Sequence, residues 1–242
     1  MAMQEALAQP DVRVAPAYNK GMTTSTNATS TDVDSTNGTS TAAADAPGTL
    51  LPRPFVFVRH GETFYNRARL IAGRMDVVLT PLGERQALEA CALLGGQRWS
   101  RVAVSTMFRA RKTARLIVPN ALLHFDHGLR ERDWGALEGL AQRHPMPYFD
   151  TPAGGESWAI FRTRVLASLN ATLDAFDCPL IVAHSGVFRV IREAVTGTPH
   201  GPRIGNVEPV VCLPGAEGGF ELLSCFEAPG ALERLSSHLA KP

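Results

Sequence analysis

The stretch "FVFVRHGETFYN", residues 55–66, decides how the chain is read. Four apolar residues, Phe55 to Val58, run without a break into a cation, a histidine and a glycine. A continuous apolar run of this length is expected of a strand buried on both faces, inside a sheet covered by helices. A strand that served packing alone would have no use for Arg59 and His60 at its end. The pair points to an anion held there.

The pattern continues outward from that strand. "PLGERQALEACALLGG" opens on Pro81, sets Leu82, Gln86, Ala87, Ala90, Cys91 and Leu94 on one helical face, and stops at a glycine pair. "RVAVS" reads as a second strand, "MFRARKTARLIV" as a second helix, and "LLHF" as a weaker third strand. From Glu156 to Phe176, Trp158, Phe161, Val165, Leu169, Leu173 and Phe176 recur at steps of three and four, which predicts a long amphipathic helix opened by Glu156. "PLIVAH" then gives a strand, "GVFRVIREAV" a helix, and "VVCL" and "FELLSC" two last strands, the second after a glycine-rich turn. This alternation predicts an α/β fold. We expect a three-layer sandwich with a mainly parallel central sheet and helices on both faces, in which ligands sit beyond the carboxyl ends of the strands.

Residues 1–50 differ in kind: Thr, Ser, Asn, Asp, Ala and Gly dominate, with almost no large apolar side chains. Such a segment cannot offset its conformational entropy by burial and is expected to be a disordered, low-complexity tail, with Met22 an alternative start. Residues 51–242 are then a single domain. The net charge of +1 excludes blanket attraction to nucleic acid or acidic membranes, so any anion recognition is local. Cys91, Cys178, Cys212 and Cys225 are widely spaced without a CxxC pair, as expected of small buried hydrophobes in a reducing cytoplasm. Neither a bilayer-spanning run nor a signal-peptide pattern is found.

Three strand ends deliver cations or histidines to one sheet edge: Arg59 and His60 after the first strand, Arg109 just inside the helix after "VAVS", and His184 after "PLIVA". Singly, each has a structural reading, as a solvated loop, an exposed helix face or a core histidine. Their convergence favours a site. Arginine forks suit phosphate oxygens, and an imidazole with one free nitrogen suits nucleophilic attack.

At these residues the chain resembles the histidine phosphatase superfamily, which includes the cofactor-dependent phosphoglycerate mutases. The resemblance lies in "RHGETFYN" at 59–66, "GRMDVVLTPLGERQA" at 73–87, "STMFRARKTA" at 105–114, "LRERDWGALEG" at 129–139, "GGES" at 154–157 and "VAHSGVFRVI" at 182–191. It implies a phosphoglycerate mutase-like fold and a metal-independent phosphomonoesterase that needs no cofactor. In that reading His60 is the nucleophile that becomes phosphohistidine, its other nitrogen fixed by a backbone carbonyl near Gly61. Arg59, Arg109 and His184 are phosphate ligands, Glu131 is the general acid and base, and Asn66 and Gly73 complete the substrate contacts. Gly61 is expected to let the main chain approach the phosphate. Glu156 is expected to be structural.

Two positions depart from the pattern. Ala72 stands where many relatives carry a polar residue, with Arg74 a candidate to compensate, and Ser185 stands where many carry Gly. "VAHSGV" lacks the first glycine of a GxSxG elbow, so Ser185 is not read as a nucleophile. Only 24 residues separate Glu131 from Glu156, too short for the long basic insertion that the resemblance associates with mutases. The expected substrate is a small phosphorylated metabolite, bound by a monomer or homodimer without nucleic acid or membrane. The alternatives are mutase-type phosphoryl transfer and non-catalytic binding of a phosphorylated ligand. The apolar stretch around Trp134, Met146 and Tyr148 reads either as a lid over the pocket or as plain packing.

Overall fold

The computed structural model describes residues 48–215 and 219–239. The tail expected over 1–50 therefore lies almost wholly outside the described residues. Its last members are packed: Leu50 is buried in the core, Asn170 Nδ2 donates to Thr49 O at 2.8 Å, and Leu51 N donates to Asn170 Oδ1 at 2.9 Å.

Six strands form one sheet: β1 (Phe55–Arg59), β2 (Val102–Ser105), β3 (Leu123–Asp126), β4 (Leu180–Ala183), β5 (Pro209–Pro214) and β6 (Phe220–Ser224), in the order β3-β2-β4-β1-β5-β6. β1 pairs with β4, β4 with β2 and β2 with β3, all in parallel. β5 runs antiparallel to both β1 and β6. The sheet is thus mainly parallel with an antiparallel edge, and the five residues between Pro214 and Phe220 are too few for a parallel crossover, so β6 returns beside β5 as a hairpin.

Helices cover both faces. They are α1 (Phe64–Arg67), α2 (Pro81–Leu94), α3 (Phe108–Ile117), α4 (Trp158–Ala175), α5 (Ser185–Thr196) and α6 (Ala231–Leu239). Alternation along β1 divides the core. Phe55 and Phe57 meet Phe161, Val165 and Leu169 of α4 and Val187 and Val190 of α5. Val56 and Val58 meet Ala87 and Leu94 of α2, Ala110 and Ile117 of α3, and Leu235 of α6. Thr80 caps α2 by accepting from Gly83 N at 3.0 Å, Pro81 follows at the first helical position, and Ser157 caps α4.

The structure corrects two helix readings. The stripe of α2 that is buried runs through Gly83, Ala87, Ala90 and Leu94, while Leu82 is 37% exposed. Gly83 takes the inner position because the backbone of Glu62 lies so close that no β-carbon fits there. Glu156 does not open α4 but precedes its cap, and its carboxylate grips Arg164 at 2.7 and 2.9 Å.

Candidate active site

β1, β4 and β2 are neighbours in the sheet, so their carboxyl ends bring His60, His184 and Ser105 together. Arg59, His60, Asn66, Gly73, Arg109 and Glu131 all line one cavity of about 360 Å³ beyond those ends. His184 lies behind it, fully buried, its ring centroid 5.2 Å from that of His60.

His60 is held in one tautomer. Its Nδ1 lies 2.8 Å from Gly61 O, an atom that can only accept, so Nδ1 carries the proton. Arg109 Nε donates to His60 Nε2 at 3.2 Å, so Nε2 presents a lone pair. Burial, then the charges of Arg109 and Arg59, push the pKa of His60 well below the usual 6.5. The imidazole is neutral at physiological pH, with its unprotonated nitrogen facing the arginines.

Those arginines are built into the fold. Arg109, 1% exposed, sends its two terminal nitrogens to Gly73 O and Met75 O at 2.8 Å each, which fixes the plane of the fork. Gly73 contributes this carbonyl from a left-handed turn, φ +50. Arg59 donates to Ile204 O at 3.0 Å. Burial lowers the pKa of Arg59 to about 9 and that of Arg109 to about 10, and both stay charged at neutral pH. Among the described residues, Arg59 Nε and His184 Nδ1 are buried without a hydrogen-bond partner. Leaving such atoms unpaired is costly, and Arg59 lines the cavity, where an anion would satisfy its Nε.

His184 Nε2 is 2.7 Å from Ser105 Oγ, and its pKa too is pushed well below 6.5 by burial and then by Arg109. If the serine hydroxyl donates there, Nδ1 bears the proton and is a hydrogen-bond donor. Glu131 is held by two backbone donors, Arg132 N at 2.9 Å and Gly186 N at 3.0 Å. Gly186 must lack a side chain, since a β-carbon there would overlap Glu131 Oε1. Asn66 lines the cavity while its Oδ1 accepts from Thr63 N and from Asn206 Nδ2, both at 3.2 Å.

Several expectations change in detail. A β-carbon on Gly61 would meet Gly83 O at 2.5 Å, so the packing of the loop on α2 already requires a glycine here. Arg74 pairs with Asp133 at 3.0 Å with its side chain 61% exposed, and does not replace the contact absent at Ala72. The stretch after Glu131 forms only a single short 3-10 turn, Gly135–Leu137, and contributes Trp134, Pro145, Met146 and Tyr148 to the cavity wall. Ser105, Asn206, Arg189 and Arg203 were not singled out by sequence. Arg189 had a signal: a cation inside the apolar run of α5, where Val187, Phe188, Val190 and Ile191 are also buried.

The model of the histidine phosphatase superfamily, branch 1, matches residues 55–207. The fructose-2,6-bisphosphatase TIGAR B of Danio rerio is 34% identical over 131 residues, covering 48% of this chain and 51% of that protein, so the chain spans about half of this relative. A metal-independent phosphoserine phosphatase of Arabidopsis thaliana is 32% identical over 163 residues, 58% of this chain and 68% of the relative. Among solved structures, a mycobacterial glucosyl-3-phosphoglycerate phosphatase in complex with VO3 superposes with a TM-score of 0.59 at 26% identity, over 71% of this chain and 98% of that one.

Proposed function

The chain belongs to the histidine phosphatase superfamily, branch 1, and on that premise we propose that it is a metal-independent phosphomonoesterase acting through a phosphohistidine at His60 on a small phosphorylated metabolite. The observation that carries the reading is the state of His60: neutral, protonated on Nδ1 by its bond to Gly61 O, with an unprotonated Nε2 that accepts from the buried Arg109.

The phosphate dianion enters between Arg59, Arg109 and His184, with Asn66 beside it. Bound oxygens take up Arg59 Nε and His184 Nδ1, and Arg109 turns its Nε–H from His60 to the phosphate. His60 Nε2 then attacks phosphorus in line as the bond to the ester oxygen breaks, and Glu131 gives its proton to the departing alkoxide. The transition state is loose and its charge lies on the equatorial oxygens, so fixed arginine forks stabilise it more than mobile cations do. In the second half, Glu131 removes a proton from water, the water oxygen attacks phosphorus, the P–N bond breaks, and inorganic phosphate leaves. The arginines supply the charge neutralisation that a divalent cation provides in other phosphoryl-transfer sites, which is why no metal is assigned a step.

Mutase-type transfer shares the first half-reaction and differs in its acceptor. The short 24-residue connection from Glu131 to Glu156 supports water as that acceptor. The test is phosphate release from a panel of phosphomonoesters in EDTA, with His60→Ala as control. We expect release by the unaltered protein alone. Isomerised ester in place of inorganic phosphate would overturn the hydrolytic reading, and release that persists in His60→Ala would overturn the phosphohistidine.

A further inference from the structure

The tautomer of His60 depends on one carbonyl, Gly61 O, which belongs to the peptide joining Gly61 to Glu62. The glycine on one side of that peptide has no β-carbon to resist its rotation. Turned over, the peptide would present Glu62 N–H to His60 in place of the oxygen. Nδ1 would then have to accept, the ring proton would sit on Nε2, and the nitrogen needed for attack would be blocked. The orientation of one peptide thus decides whether the nucleophile is usable.

The neighbouring peptides are fixed without help from the imidazole. On one side, His60 O accepts from Asn206 Nδ2 at 2.8 Å, and Gly61 N donates to Thr113 Oγ1 at 3.0 Å. Thr113 is fully buried and its hydroxyl donates to Arg109 O at 2.7 Å, which leaves its oxygen to accept. Asn206 is followed by Val207, a buried residue at φ +53 whose N–H donates to Arg59 O at 2.9 Å. A β-branched side chain rarely adopts that conformation, and such strain persists only where the surroundings impose it. On the other side, Thr63 N donates to Asn66 Oδ1 at 3.2 Å and Thr80 N to Glu62 O at 2.8 Å.

The Gly61–Glu62 peptide has one hold besides His60 among the described residues. Glu62 N donates to Gln86 Oε1 at 3.1 Å, reaching across to α2. An N–H can only donate, so the oxygen of the Gln86 amide faces it. In the free site Arg109 Nε also favours an unprotonated Nε2, but in the proposed reaction this donor turns to the phosphate. From then until attack, the tautomer rests on Gly61 O alone.

We propose that Gln86 is a positioning residue for the nucleophile: by accepting from Glu62 N it keeps Gly61 O turned to His60, and so holds Nε2 unprotonated once phosphate is bound. This deepens the phosphohistidine reading and rests on it for the role of His60. Gln86 is not among the residues lining the cavity, so it acts through Gly61 O and does not touch the substrate.

The test reads the tautomer directly. With heavy nitrogen in the histidine rings, long-range proton–nitrogen spectra distinguish a protonated from an unprotonated ring nitrogen, and the His60 signals are those missing from His60→Ala. We expect the unaltered protein to keep the proton on Nδ1 with and without saturating inorganic phosphate. Gln86→Leu, which has no acceptor, should show the Nε2–H form when phosphate is bound. Its kcat/KM for p-nitrophenyl phosphate should fall about tenfold, the size of one lost hydrogen bond, while inhibition by inorganic phosphate stays within about twofold because the arginines are untouched. Gln86→Glu retains an acceptor and should restore the Nδ1–H form and most of the rate. An unchanged tautomer in phosphate-bound Gln86→Leu would overturn the proposal, as would a loss of rate matched by a loss of phosphate affinity. The phosphohistidine reading is judged apart from this, by whether release from p-nitrophenyl phosphate depends on His60, so either can fail while the other stands.

Discussion

Replacing Gly186 by Ala adds one methyl group and should uncouple catalysis from stability. The new β-carbon would overlap Glu131 Oε1 and lie 3.0 Å from its carboxyl carbon and 3.1 Å from Phe161 Cζ. Phe161 is fully buried and cannot retreat, so the carboxylate must. Its bond from Gly186 N is then lost, at a cost of about 1–3 kcal/mol for a buried donor left unpaired. Alanine in place of glycine near the start of α5 returns up to about 1 kcal/mol. The net loss is about 1 kcal/mol, a fall in Tm of about 2–4 °C. Activity should suffer far more, because a general acid contributes roughly 10²–10⁴-fold. We expect kcat for an alkyl phosphate to drop about 10²-fold, and for p-nitrophenyl phosphate, whose leaving group needs little protonation, less than about tenfold. The assay is kcat on both esters beside a thermal melt. Equal losses on the two esters, or full activity on the alkyl phosphate, would refute the assignment of Glu131.

Glu131→Gln should reproduce that leaving-group dependence without the fall in Tm, measured on the same two esters. Arg109→Lys should lower kcat/KM by roughly 10²-fold, since one ammonium cannot span His60 Nε2, Gly73 O and Met75 O as the fork does; steady-state kinetics with p-nitrophenyl phosphate reads this. Because the pKa values of His60 and His184 are depressed in the folded chain, the unfolded chain binds more protons below about pH 6.5, and stability must be complete above that pH and decline as pH falls through it toward the folded values. Melts from pH 7.5 downward should therefore fall more steeply for the unaltered protein than for His60→Ala. Ser105→Ala should slow turnover several-fold by releasing His184 Nε2, the size of one lost hydrogen bond, while Ser105→Thr keeps the hydroxyl and recovers part of the rate.

Much of the fold could be read because burial writes itself into local sequence. "FVFV" has no polar interruption, and β1 is buried along its whole length. Apolar patterning locates α2, α4 and α5, and the strand-end rule gathers Arg59, His60, Arg109 and His184 at one edge from the sequence alone. What escaped was decided by distant backbone. Leu82 looks like a core residue until Glu62 is seen to press against Gly83, and the packing of α2 against Gly61 is equally invisible in the motif. Asn206 acts across 146 residues on the carbonyl of His60, a distance over which no periodicity carries information. Ser105 stood within a quoted motif, yet its partner His184 lies 79 residues on. The antiparallel β5 follows from pairing partners, which an apolar run does not specify.

Arg132 sits beside Glu131 in sequence and faces the other way. It is 1% exposed and donates to three main-chain carbonyls, those of Glu156, Tyr148 and Asp150, at 2.9, 2.6 and 2.7 Å, with its guanidinium 4.4 Å from the centre of the Trp134 ring. Every one of those acceptors is backbone. The grip is therefore indifferent to which side chains the segment carries, so residues such as Met146 can be exchanged without loosening the frame that seats the neighbouring acid. A single arginine thus divides this region into a fixed chemical half and a half free to drift. Changes of substrate preference can accumulate in the second while the reaction in the first stays the same.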